Sequence, residues 1–231
     1  MIVHTSSLKK SVLQLRTDVA ITLGENGRNL IHGGVIIIDN SRLIQTSVNT
    51  FTYNYKDKLS FVSTLKELTN MKKVLFTCIG TDRATGDCLG PLVGTNLKRL
   101  GYTVLGTLDE PLHAQNLIQE LKKASNLYNP DIVLAIDACL GKLEDIGKIT
   151  LSNSPLTPGA AVHKDLPTVG DISIMGIVNL GGFFELQVLQ CTRLHTVMKL
   201  ASDITHLIWR AVPASRRDSS VNNRNNQSQC S

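Results

Sequence analysis

Val74-Leu-Phe-Thr-Cys-Ile79 runs directly into Gly80-Thr-Asp-Arg-Ala-Thr-Gly-Asp-Cys-Leu-Gly-Pro91. The first run is β-branched, aromatic and apolar without alternation, as a strand buried on both faces must be. The glycines of the second permit a sharp turn, and from Leu89 to Leu100 the apolar spacing becomes helical. In open α/β sheets ligands gather beyond the carboxyl ends of the strands. A strand, turn and helix in this order therefore deliver Asp87 to a position suited to chemistry.

Working outward, 55–68 reads as an amphipathic helix with Leu59, Val62, Leu65 and Leu68 at helical spacing. After the helix at 89–100 come a short strand at 103–107, a helix at 113–127 and a buried strand at 132–136. Such alternation argues for a parallel sheet covered on both faces. Gly147-Lys-Ile-Thr-Leu-Ser152 suggests another strand, 154–170 a long loop punctuated by Pro and Gly, and 172–178 a late strand. From about 186 to 209 Leu186, Leu189, Leu194, Val197, Ala201, Ile204 and Ile208 trace one stripe of a final helix. Residues 1–50 contain one candidate strand, Val35-Ile-Ile-Ile38, and carry no assigned function. The tail 211–231 is Ser, Asn, Gln and Arg with little to bury, and is expected to be disordered.

The strand at 132–136 is followed by Asp137-Ala-Cys-Leu-Gly141. If consecutive βαβ units set this strand beside the one at 74–79, the two backbones lie roughly 5 Å apart and both acids overhang one crevice. Each acid alone has an ordinary explanation: Asp87 as a helix cap, Asp137 as an anchor for loop N–H groups. Together they form a pair in which one carboxyl is pushed to keep its proton while the other remains a base. Gly80, Gly86 and Gly90 of the turn, with Pro158 and Gly159 of the long loop, are the candidate substrate-binding positions. The turn lacks the Lys-Ser/Thr ending of a Walker sequence and the G-x-G-x-x-G spacing, and an acid at the helix start repels a pyrophosphate. No G-x-S-x-G marks a serine hydrolase. Asp87, Cys88, Asp137, Cys139 and His163 could be assembled into a metal site, but their spacing does not require it and lone cysteines are commonly small buried residues. No metal and no cofactor is expected. His113 is read as opening the helix at 113–127, and Asp171 as loop structure.

The chain has 231 residues, 42% hydrophobic and 19% charged, enough for one generous core. Its net charge of +5 sits mostly at the ends: three Arg against one Asp after 210, and four cations against two acids in 1–30. The centre is nearly neutral, and aromatics are only 4%, which argues against a nucleic-acid partner. Five scattered cysteines without C-x-x-C spacing fit a reducing compartment. No apolar stretch reaches membrane-spanning length, so the expectation is a cytoplasmic protein with no membrane partner.

With the motifs at 78–94, Ala-Ile-Asp-Ala-Cys-Leu-Gly at 135–141 and Leu-Thr-Pro-Gly-Ala at 156–160, the chain closely resembles the sporulation protein YyaC family over about 51–210. That family is similar to the spore germination protease and, more distantly, to hydrogenase maturation proteases. The resemblance implies a phosphorylase/hydrolase-like three-layer α/β/α sandwich with a mostly parallel sheet. Asp87 and Asp137 match the aspartates of the germination protease's Pro-Asp-Ala-Leu-Gly-Pro and Ile-Asp-Ala segments, implying an aspartic-type peptidase. Its expected substrate is a peptide or small acid-soluble spore protein in the forespore or spore core; the oligomeric state stays open. Hydrogenase maturation proteases carry Asp-Glu-Gly at the first motif, with the Glu a metal ligand; here the sequence is Asp87-Cys88-Leu89, which argues against the same nickel chemistry. A non-catalytic peptide- or protein-binding factor on the same scaffold is the second reading, a metal-dependent hydrolase the third.

Overall fold

A computed structural model describes residues 32–39, 42–53, 57–158 and 167–213, the first two stretches as backbone only. The tail expected to be disordered from 211 starts later than that, because Ala211 closes the last helix and Val212 is buried with its carbonyl accepting the Tyr102 O–H at 3.1 Å; the rest of it from 214, and the positions Gly159 and His163, lie outside the described residues. The chain divides into two compact units, Met1–Asn49 and Thr50–Ser231. In the first, strand β1 (His32–Asp39) pairs antiparallel with the first part of β2 (Arg42–Tyr53), from His32↔Asn49 to Asp39↔Arg42.

The second unit alternates as the sequence predicts: α1 (Lys58–Leu68), β3 (Val74–Cys78), α2 (Leu89–Arg99), β4 (Val104–Leu105), α3 (Leu117–Tyr128), β5 (Ile132–Gly141), β6 (Ile149–Ser152), β7 (Ile172–Leu180), α4 (Glu185–Gln190) and α5 (Leu194–Ala211). Strands β4, β3, β5 and β7 lie side by side and parallel; β6 joins β7 antiparallel, and Thr50–Tyr53 of β2 joins β6 antiparallel. On one face Phe76, Leu134, Ile136 and Ile174 are buried beneath α1, α2 and α5. On the other, Ile79 and Ala135 pack against Leu117 of α3 with Leu112, Leu156 and Val169. The protein is thus an α/β/α sandwich with a mostly parallel sheet. Each fully buried Leu, Ile or Phe contributes about 1.5–3 kcal/mol.

Three local expectations change. Leu59 is 74% exposed, and Phe61 and Leu65 are the buried anchors of α1. The final stripe is two helices, broken at Cys191–Arg193, with Leu186 and Leu194 exposed. Strand β5 does not stop at Ile136 but continues to Gly141. Among the described residues no helix is long and apolar enough to cross a membrane.

The topology positions the site. From β3 the chain passes through α2 on one face to β4, then returns through α3 on the other face to β5, on the opposite side of β3. The strand order therefore reverses between β3 and β5, and a crevice at the carboxyl ends of two such strands is where doubly wound sheets bind ligands.

Candidate active site

Strands β3 and β5 pair in parallel from Val74↔Ile132 to Cys78↔Ile136. The chain leaves β3 at Gly80, whose φ of +136° is a left-handed conformation that side chains rarely adopt. A Cβ on Gly80 would stand 2.0 Å from the Asp87 carbonyl oxygen, and one on Gly90 2.0 Å from that of Ile79. These contacts let the start of α2 fold back against the end of β3. Asp87, in a single 3-10 turn (Gly86–Cys88), is held over the sheet edge by this closure. It does not cap α2: its Oδ2 accepts the Thr81 N–H at 3.0 Å.

Asp137 projects from the continuing part of β5, one residue past the last pairing with β3. Its Oδ1 accepts the N–H of the adjacent Ala138 at 2.8 Å, so it fastens no separate loop. Asp87 and Asp137 line one cavity of about 480 Å³ with Gly80, His113, Pro158 and Leu189. Gly86 and Gly90 stand outside it; Gly86 packs against Leu189 and Thr192. Asp171 lies at the opposite end of the sheet, where its carboxylate accepts the Val133 N–H at 2.8 Å.

Burial pushes both acids upward. Asp87 is raised by desolvation, partly offset by the Thr81 hydrogen bond and by the charge of His113. Asp137 is raised well above the ordinary range, first by burial and then by the negative charge of Asp87. Asp137, the more deeply buried of the two, is therefore the harder to ionise, and a proton shared by the pair is favoured on its side. That polarity could not be read from the sequence, because it depends on how much water reaches each carboxyl.

His113 is a cavity residue and not the start of a helix. Helix α3 begins at Leu117, and before it the His113 N–H donates to Asn116 Oδ1 at 2.9 Å while His113 Nδ1 accepts the Gln115 N–H at 3.3 Å. The segment is drawn to the site because Leu112 bridges Ile79 in parallel and its carbonyl accepts the Gly80 N–H at 2.8 Å. Cys139 also lines the cavity, but burial, then the Asp137 charge, push its thiol up to about 12, so it is a poor nucleophile near neutral pH. Cys88 Sγ donates to the Thr85 carbonyl at 2.9 Å. Among the described residues no group of three or more His, Cys, Asp or Glu side chains is disposed to hold a metal ion. Glu185 and Leu186 of α4 complete one wall, which the reading of 186–209 as one core-facing helix concealed.

Residues 49–207 match the model of the family described as protein of unknown function (DUF1256), and the chain belongs to that family. It is 49% identical over 134 residues to the uncharacterized protein YyaC of Bacillus subtilis (strain 168), an alignment covering 57% of this chain and 65% of the relative's length. Among solved structures it matches the [NiFe] hydrogenase maturation protease HycI from Thermococcus kodakarensis KOD1 at 21% identity and a TM-score of 0.40, over 63% of this chain and 98% of that one.

Proposed function

We propose that the protein is a peptidase in which Asp87 and Asp137 share one proton and hydrolyse a peptide bond, with a small acid-soluble spore protein as its substrate. The observation that carries this reading is a half-buried carboxyl, Asp87, and a buried one, Asp137, lining one cavity, with Asp87 making Asp137 harder to ionise. The motif resemblance to the spore germination protease supports it and supplies the choice of substrate. The carboxylate of Asp87 takes a proton from water as the water oxygen bonds to the peptide carbonyl carbon, and Asp137 gives its proton to the carbonyl oxygen. In the collapse that follows, the C–N bond breaks, the nitrogen receives the proton held by Asp87, and Asp137 recovers one from a hydroxyl of the tetrahedral carbon. One water is consumed, a carboxyl and an amine are formed, and the dyad returns to its starting state.

The test is cleavage of a purified small acid-soluble spore protein by the wild-type chain, Asp87→Asn and Asp137→Asn. Each substitution should lower kcat by about 10²–10⁴-fold, the range for a general acid or base. Equal turnover by all three removes the dyad from the mechanism, and tight binding by the wild type without turnover favours a binding protein on the same scaffold.

A further inference from the structure

Strand β5 is longer than its neighbour β3. Their pairing ends at Cys78↔Ile136, with the Ile79 N–H donating to the Ile136 carbonyl at 2.8 Å. Beyond that rung β3 turns away at Gly80, while β5 runs on to Gly141 and stays paired on its other side with β7, through Cys139↔Ile177 and, after a register shift between Cys139 and Leu140, Leu140↔Asn179 and Gly141↔Leu180. Backbone groups alternate sides along a strand. Ile136 faces β3, so Ala138 and Leu140 face the same way, and the Gly141 carbonyl, which accepts the Gly181 N–H at 2.8 Å, faces β7. The Ala138 N–H is taken by Asp137. The Ala138 carbonyl and both backbone groups of Leu140 are left on an edge with no strand beside it among the described residues.

This edge is not on the outside of the sheet, where open edges are usually found. It lies inside the cavity: Gly80 and Thr81 form the wall at the end of β3, and Ala138, Cys139 and Leu140 the wall facing it. The hollow thus opens where β3 has turned away from the overhanging part of β5. A sheet holds adjacent strands about 4.8 Å apart, and residues 138–140 offer roughly 10 Å of edge. The surrounding walls are apolar at Met175, Leu186 and Leu189, and two exposed aromatics, Phe183 and Phe184, stand immediately before Glu185 at the rim.

We propose that this overhang is a docking edge for an extended polypeptide, which adds as a short strand beside Ala138 and Leu140 and so brings its own backbone against Asp87 and Asp137. The inference rests on the peptidase reading of the same cavity and names how its substrate is held: by main-chain hydrogen bonds, with an apolar side chain seated against Leu186 and Leu189. Strand addition suits this site because main-chain pairing supplies affinity while alternate side chains supply selectivity. It also fixes register, since the acid and the edge belong to one strand.

The experiment measures binding of overlapping twelve-residue peptides from a small acid-soluble spore protein to full-length Asp87→Asn, by fluorescence anisotropy. A tight-binding peptide is then N-methylated at one backbone nitrogen at a time, which removes a donor without altering side chains. Strand pairing predicts alternation, with methylation at every second position weakening binding at least tenfold and the positions between costing little. On the protein side, Leu140→Pro on the same background deletes the edge donor without touching the ladder to β7, a place where proline is tolerated, and should cost a similar factor; Leu140→Ala keeps the donor and should cost much less. A flat methylation scan, or no peptide bound, overturns the proposal, and the scan needs no folded Leu140→Pro variant to do so. Edge-dependent binding without wild-type cleavage would sink hydrolysis alone, whereas cleavage with a flat scan would sink strand pairing alone.

Discussion

The Ile79 N–H donates to the Ile136 carbonyl at 2.8 Å, and at that rung β3 and β5 part company. One residue further on, Gly80 turns the first strand away and Asp137 stands on the second. The gap opened between them admits the Asp87 carboxylate from the start of α2. The parting of two paired strands, together with the glycine-dependent turn that folds α2 back over β3, therefore brings the acids together.

Burying Asp137 costs stability whenever it is charged. Its folded-state pKa lies above the unfolded value, because of burial and then the Asp87 charge, so the native chain binds this proton more tightly than the unfolded chain does. The contribution of Asp137 to stability is then fully present below the unfolded value, about 3.9, and is lost as pH rises through the native one. Asparagine cannot ionise and can still accept the Ala138 N–H. Asp137→Asn should therefore melt higher than the wild type at pH 7, by about 2–4 °C for each kcal/mol relieved, with the difference shrinking to nothing below about pH 4. Thermal melts across that range check it; a gain that persists at pH 3 would contradict the assignment.

The fold-back of α2 onto β3 has no room for a methyl group. Gly90→Ala would set its Cβ 2.0 Å from the Ile79 carbonyl oxygen, which is backbone and cannot rotate aside. The variant should lose at least about 1–3 kcal/mol in urea unfolding, the range for overpacking, and turnover should fall with it because the Asp87 turn is displaced. Unchanged stability would mean that the helix start shifts freely and does not fix Asp87.

How far the sequence foretold this arrangement depends on which forces decide each element. The buried run at 74–79 and the helical spacing from Leu89 are local signals, and both elements form where the residues demand. Asp137 was legible as a partner for Asp87, but the length of β5 was not: the strand persists to Gly141 because β7 continues to pair with it, a contact distant in sequence. The break at Cys191–Arg193 is easily passed over because apolar residues resume at Leu194, but the five-residue step from Leu189 leaves the helix face, and one of the two is buried while the other is exposed. His113 was misjudged for a similar reason, since its place at the cavity depends on Leu112 bridging Ile79.

A thiol in the cavity invites the idea of a cysteine nucleophile, which Cys139 does not support. With its pKa pushed up to about 12 it is almost wholly protonated at neutral pH. Cys139→Ala should retain at least about half of the wild-type kcat, and iodoacetamide at pH 7.5 should modify exposed Cys191 while sparing Cys139 in the native chain. Rapid labelling of Cys139 accompanied by loss of turnover would reverse the argument and point to thiolate chemistry.

In the proposed reaction His113 would act through Asp87. A proton on His113, which Nδ1 can take only by giving up the Gln115 N–H, places a positive charge that opposes the upward push of burial on that carboxyl and so widens the pH range in which Asp87 can serve as the base. In His113→Gln the acid limb of the kcat/KM profile should move to higher pH. The loss should be roughly two- to tenfold at the wild-type limb, by the tenfold-per-pKa relation, and smaller on the plateau. The basic limb, set by Asp137, should stay close to its wild-type position, because burial and Asp87, not His113, are what raise it. An even loss at every pH with both limbs unmoved would assign His113 a different part, that of bracing its turn through the Gln115 N–H, and the charge of the imidazole would then have no share in catalysis.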